Sequence, residues 1–188
     1  DRGQFIIAYA LFKNTLEEKK EVIKFSVEVV NKRVPVIAGT GTNNTKASIE
    51  LSKYAEEVGA DMVLIITPYY NKTSQKGLYA HFSAINDAIN IPIMLYNVPS
   101  RTGMNITPLM LDKLANLNNV VAIKEASGDL SQVAKMAELC CDRIAIYSGN
   151  DDQIVPILSL GGAGVVSVLA NILPEETHNI CEKYFLGE

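Results

Sequence analysis

From residue 34 onward, short β-branched apolar runs alternate with stretches that carry helix signals, and this alternation constrains the fold more than any other feature. The runs occupy residues 34–38, 62–67, 91–96, 120–124, 144–147 and 165–168. Strand and helix signals in strict succession argue for repeated right-handed β-α units and a parallel sheet rather than hairpins. The runs alternate little between apolar and polar residues, as expected of strands covered on both faces.

The helix starts are legible. Thr15-Leu16-Glu17-Glu18 has capping-box form, and Thr107-Pro108 sets a cap before a proline at the first helical position, a pattern that Pro174 repeats. Val22, Ile23, Val27 and Val30 recur at near-helical spacing after the capping box, so a helix precedes the first clear strand. An earlier strand is therefore expected, and residues 5–11 are the candidate, making seven strands at most. Such units build either an open doubly wound sheet or a closed eight-stranded barrel. The pattern alone leaves both open, and 188 residues is short for a barrel, which takes about 250.

Composition narrows the function classes. With 48% hydrophobic and 20% charged residues, the chain can bury the core of one soluble domain. A net charge of −4 offers no basic field for nucleic acid or an anionic membrane surface, so small molecules and other subunits are the expected partners. The apolar run at residues 5–12 is too short to span a bilayer. Three cysteines, Cys140 and Cys141 adjacent, suit a reducing compartment, which predicts a cytoplasmic protein. Only His81 and His178 are present and no cysteine pair has ligand spacing, so no metal is expected.

Polar residues cluster just after the carboxyl ends of the strands, where barrels and open α/β sheets carry their sites. Lys124 ends the apolar run Val120-Val121-Ala122-Ile123, which would hold its ammonium in a largely desolvated pocket. An unperturbed lysine leaves roughly one amine in two thousand neutral at pH 7, and burial can lower its pKa by up to about 3–5 units. A neutral amine attacks ketones; the alternative is a strand-end lysine that snorkels to the rim or pairs with Glu125. Tyr96 ends its strand before a proline-containing loop, from which a phenol could relay protons or simply meet water. Arg101 lies in that loop, where its planar fork could clamp a carboxylate or remain solvated. The Gly39–Asn44 stretch lacks the third glycine of a dinucleotide fingerprint and the lysine of a P-loop. Gly161-Gly162-Ala163-Gly164 reads as a tight turn, and Asp151 and Asp152 as caps of a following helix rather than cation ligands.

Taken together, these segments resemble the dihydrodipicolinate synthase family, within the N-acetylneuraminate lyase superfamily, from about Glu18 to the end of the chain. The resemblance implies a lysine-dependent (β/α)8 TIM-type barrel that needs no cofactor beyond a covalent imine. It implies condensation of pyruvate with aspartate semialdehyde in lysine and diaminopimelate biosynthesis. On the motif Lys-Glu-Ala-Ser-Gly, Lys124 becomes the imine-forming residue, and Tyr96, in Tyr-Asn-Val-Pro, joins the proton relay. Arg101, in Arg-Thr-Gly, binds the carboxylate of the semialdehyde. Tyr70, in Pro-Tyr-Tyr, crosses a dimer interface to complete the neighbour's relay, and the backbone near Val166 lies against pyruvate.

The chain departs from the family at its start, where Ile6-Ile7-Ala8-Tyr9-Ala10 stands in place of Gly-Thr-Thr-Gly-Glu. The expectation is an incomplete barrel formed by residues 1–188 as one domain, with an atypical segment at 1–15 and without the family's first strand and C-terminal helical region. A homodimer or homotetramer is expected. A different pyruvate lyase or aldolase, and a catalytically impaired or regulatory homologue, remain alternatives.

Overall fold

The computed structural model describes residues 4–8, 14–140 and 142–188. In chain order the elements are β1 (Ile6–Ala8), α1 (Leu16–Val30), β2 (Val36–Gly39), α2 (Thr45–Glu57), β3 (Met62–Ile66), α3 (Gln75–Asn86), β4 (Ile93–Asn97), α4 (Pro99–Thr102), α5 (Pro108–Leu114), β5 (Val120–Glu125), α6 (Leu130–Cys140), β6 (Ala145–Ser148), α7 (Ile154–Ser159), β7 (Gly164–Val165) and α8 (Pro174–Leu186). Single 3-10 turns at Asp151–Gln153 and Leu169–Asn171 precede α7 and α8.

Among the described residues, all seven strands are parallel and neighbours in sequence are neighbours in the sheet, β1 through β7. A doubly wound sheet reverses strand order at a switch point, and this one does not. The sheet is instead curled into part of a barrel. Its inner face carries Ile7, Ile37, Leu64, Met94, Ala122 and Val166, and the ring of Phe5, just before β1, meets Tyr147 of β6 edge-on at 5.7 Å between centroids. Chain segments that far apart in a sheet touch only if the sheet bends round. The outer face packs Val63, Ile65, Leu95 and Ile123 against the helices in one larger core. The fold is an incomplete TIM-type barrel, as the family resemblance implied and as the strand pattern alone left open.

Local chemistry accounts for the element ends. Thr15 and Glu18 form the anticipated box, the Glu18 amide donating to Thr15 Oγ1 at 3.3 Å and the Thr15 amide to Glu18 Oε2 at 2.7 Å. The Thr15 amide bond, with a second donated by Thr15 Oγ1 to the same oxygen at 3.0 Å, lowers the Glu18 pKa. Thr107 caps α5, with Pro108 at its first position. Pro174 opens α8 in the same way, but its cap position, Leu173, supplies no side-chain bond.

Several strands are shorter than their apolar runs. Those at 34–38 and 91–96 begin only after Pro35 and Pro92, which have no amide to donate. Their carbonyls still accept, from Ile6 and Val63, at 3.0 Å each. The run at 165–168 gives a strand only at Gly164–Val165, because the chain then turns into 3-10 geometry. Of the candidate strand at 5–11, Ile6–Ala8 pairs with β2, and residues 9–11 lie outside the described residues, as does Cys141.

Candidate active site

The carboxyl ends of β4 and β5 bring the key groups together. Tyr96 stands in register with Lys124, and Asn97 with Glu125. Upstream the same pair is out of step: Ile93 faces Val120 while Met94 faces Ala122, so Val121 is an extra residue, a β-bulge. Val121 and Ala122 consequently both belong to the inner face, whereas Val120 and Ile123 pack outward. This resets the alternation so that Lys124 turns inward and Glu125 outward. Lys124 and Glu125 therefore do not pair.

Inside, the Lys124 ammonium lies 4.3 Å from the centroid of the Tyr96 ring. Burial pulls the Lys124 pKa down from 10.5 to about 8; the positive charge of Arg101 adds to the shift and Asp151 opposes it. At pH 7 that leaves about one amine in ten neutral. Arg101 sits in the last turn of α4, which Gly103 closes in the left-handed conformation at φ 69°. The arginine is exposed.

Val166 follows β7 on the inner face and donates its amide to the Ser148 carbonyl at 2.7 Å. Tyr70 does not join this group. The residue is 92% exposed and its backbone holds φ 68°, closed by an Asn71 amide to Tyr69 carbonyl bond of 2.9 Å. A bulky residue rarely adopts that conformation, and such local strain tends to accompany function.

Three further residues belong to the site although sequence patterns did not single them out for it. Tyr147 is the register neighbour of Lys124 on the side opposite Tyr96, and burial raises its phenol pKa. Gly149 backs the lysine stem: a Cβ there would stand 3.1 Å from Lys124 Cε and 2.8 Å from Ala126 Cβ. Asp151 corrects the capping expectation. Asn150 occupies the cap position, while the Asp151 carboxylate accepts from Ser167 Oγ and from the Leu169 amide, tying the 3-10 turn to the segment after β7.

The glycine motifs serve the backbone. Gly162 lies so close to Ile157 that a Cβ would meet its carbonyl oxygen at 2.7 Å, and Gly161 holds φ 92°. In the Gly39–Asn44 stretch, Asn44 caps α2 and Thr42 bonds Ser48. Among the described residues, no three His, Cys, Asp or Glu side chains converge to hold a metal ion, and no helix is long and apolar enough to cross a membrane.

Comparison with known proteins agrees with this fold. The model of the dihydrodipicolinate synthetase family matches residues 12–188. The 4-hydroxy-tetrahydrodipicolinate synthase of Clostridium perfringens (strain SM101 / Type A) is 99% identical over 174 residues, covering 93% of this chain and 60% of that protein. That of Clostridium novyi is 67% identical over 174 residues, covering 93% of this chain and 59% of that protein. Among solved structures, a chloride-inhibited dihydrodipicolinate synthase from Acinetobacter baumannii complexed with pyruvate superposes with a TM-score of 0.94 at 40% identity, covering 98% of this chain and 65% of that one. A monomeric dihydrodipicolinate synthase variant gives 0.93 at 38% identity, covering 97% and 64%. The chain thus spans about 60% of the length of the curated relatives it matches.

Proposed function

The chain belongs to the dihydrodipicolinate synthetase family, and on that premise we propose that Lys124 forms an imine with pyruvate and that the resulting enamine condenses with aspartate semialdehyde. One observation carries the reading: a lysine amine with its pKa drawn down to about 8 lies against a tyrosine ring on the inner face of a parallel barrel. The neutral amine adds to the keto carbon of pyruvate, and loss of water gives the iminium, an electron sink that acidifies the methyl protons. Proton transfers at the carbinolamine and enamine stages need a group able both to give and to accept, and Tyr96 supplies a phenol beside the reacting nitrogen. Arg101 receives the carboxylate of the semialdehyde, while the backbone about Val166 lines the pyruvate side. The relative from Acinetobacter baumannii that was solved with pyruvate supports the choice of keto acid.

The exposure and backbone strain of Tyr70 support its use by a neighbouring subunit, in a homodimer or homotetramer. The lysine supplies the electron sink itself, so the reaction needs no further cofactor, and a cytoplasmic biosynthetic role fits. Borohydride reduction in the presence of pyruvate, followed by peptide mass analysis, tests the reading. A pyruvate-dependent adduct on Lys124 is expected; an adduct confined to other lysines, or none beside a competent control enzyme, rejects it.

A second reading, imine formation with impaired turnover, is favoured by β1. Its residues Ile6, Ile7 and Ala8 bear no hydroxyl with which to link two tyrosines into a relay. Trapping at Lys124 without consumption of semialdehyde would select it.

A further inference from the structure

A carboxyl group lies on the far side of the strand that carries Lys124. Glu125 is 1% exposed, and among the described residues it makes no ion pair. Burying such a group is costly, and an apolar residue of similar volume would normally stabilise the fold more, so its retention calls for a specificity role. Its bonds suggest one. Glu125 Oε2 accepts from Asn97 Nδ2 at 2.9 Å and Oε1 from the Ser127 amide at 2.7 Å. The Asn97 amide group also donates to Asn105 Oδ1 at 2.9 Å, and its Oδ1 accepts from the Ile106 amide at 2.9 Å. Asn105 in turn donates to Gln132 Oε1 on α6 at 2.7 Å. The network clamps the ends of β4 and β5 to each other and to the loops that follow them.

The clamp sits where register is least secure. Upstream of the bulge the two strands pair in one register, downstream in another, and a slip of one residue moves every side chain to the other face. Apolar side chains fill both faces near the bulge, so burial alone discriminates poorly between registers. A buried polar pair does discriminate, because a slipped register leaves an amide and a carboxyl unpartnered in the core. We propose that Glu125 is a positioning residue: through Asn97 it locks the register beyond the bulge, so that Lys124 and Tyr96 stand side by side on the opposite face. It touches none of the reacting atoms.

The assignment rests on the imine reading for its meaning, yet its test need not. Two quantities are measured on the full chain: acylation of Lys124 by limiting acetic anhydride at pH 8, read by peptide mass analysis, and the borohydride trapping rate as a function of pyruvate concentration. Glu125→Gln keeps the size of the side chain but can accept through only one oxygen. It should slow trapping about tenfold while the half-saturating pyruvate concentration moves less than about twofold, and lower Lys124 acylation about threefold. Asn105→Ala, at the half-buried edge of the network, should shift both in the same direction by less, and serves as the probe if Glu125→Gln is insoluble.

The control is Asn119→Ala. Asn119 bonds Asn86 and Ile89 at the other end of the same strand pair, at 3.0 and 2.8 Å, so its loss destabilises the pair without touching the clamp. Both quantities should then stay within about twofold of the parent. Equal losses in Asn119→Ala and Glu125→Gln, or unchanged Lys124 acylation in Glu125→Gln and Asn105→Ala, would overturn the proposal. Failure of the parent chain to trap pyruvate would reject the imine reading instead, and the acylation contrast would still decide the role of Glu125.

Discussion

Replacing Lys124 by methionine should stabilise the fold while abolishing imine formation. The folded chain holds this amine at a pKa of about 8, against 10.5 for a free lysine. At 1.36 kcal/mol per unit, the charged form is disfavoured by about 3 kcal/mol. Solvent at the barrel rim screens part of this and the contact with the Tyr96 ring returns up to about 1 kcal/mol, leaving a net penalty of about 2 kcal/mol. The sign follows from linkage. Between pH 8 and 10.5 the unfolded chain keeps the lysine proton that the folded chain has lost. Stability contributed by this residue therefore rises with pH across that window, and the penalty is present in full below it. Methionine retains the apolar stem without the charge. Urea denaturation of parent and variant at pH 7, 8, 9 and 10 gives a difference curve from which other titrating groups cancel. The variant should lead by about 2 kcal/mol at pH 7, and the lead should shrink as pH rises. A difference that is flat with pH, or a variant less stable than its parent at neutral pH, would refute the claim that the amine is held in a desolvated site.

His81 should govern stability in acid. Burial lowers its pKa from 6.5 to about 4, so the protein loses up to about 3 kcal/mol as pH falls through that interval, and His81→Gln should flatten this part of a denaturation profile. Gly149→Ala should slow trapping of pyruvate at Lys124 by about tenfold or more and reduce stability by about 1–3 kcal/mol, because the added methyl presses on the lysine stem and on Ala126. Arg101→Ala should weaken consumption of the semialdehyde and leave trapping intact at high pH, with the pH dependence of trapping displaced upward since the Arg101 charge helps to depress the Lys124 pKa.

Much of this architecture was legible before any coordinates. β-branched runs and capping signals locate the strands and helix starts, because backbone propensity and cap hydrogen bonds act over a few residues. The early strand was inferred only from the helix that needed one before it, and Ile6–Ala8 supplies it. Boundaries were less secure: the apolar runs extend past the prolines that mark where pairing can begin. The site was legible in part. Lys124, Tyr96 and Arg101 stand at the ends of elements that the sequence marks, whereas Gly149, Tyr147 and Asp151 matter through contacts with distant elements.

Which face Lys124 takes was not encoded locally at all. Val120-Val121-Ala122-Ile123 carries no glycine, proline or change of polarity to announce a bulge, so periodicity assigns neither Lys124 nor Glu125 to the inside. By itself the sequence determined a parallel β-α protein with a lysine at a strand end. The pairing of β5 with β4, one residue out of step beyond Ile93, turned that lysine inward and buried the neighbouring carboxyl outside. Side-chain direction in a strand is fixed by pairing with its neighbour, and that pairing exists only once distant segments of the chain have come together in the sheet.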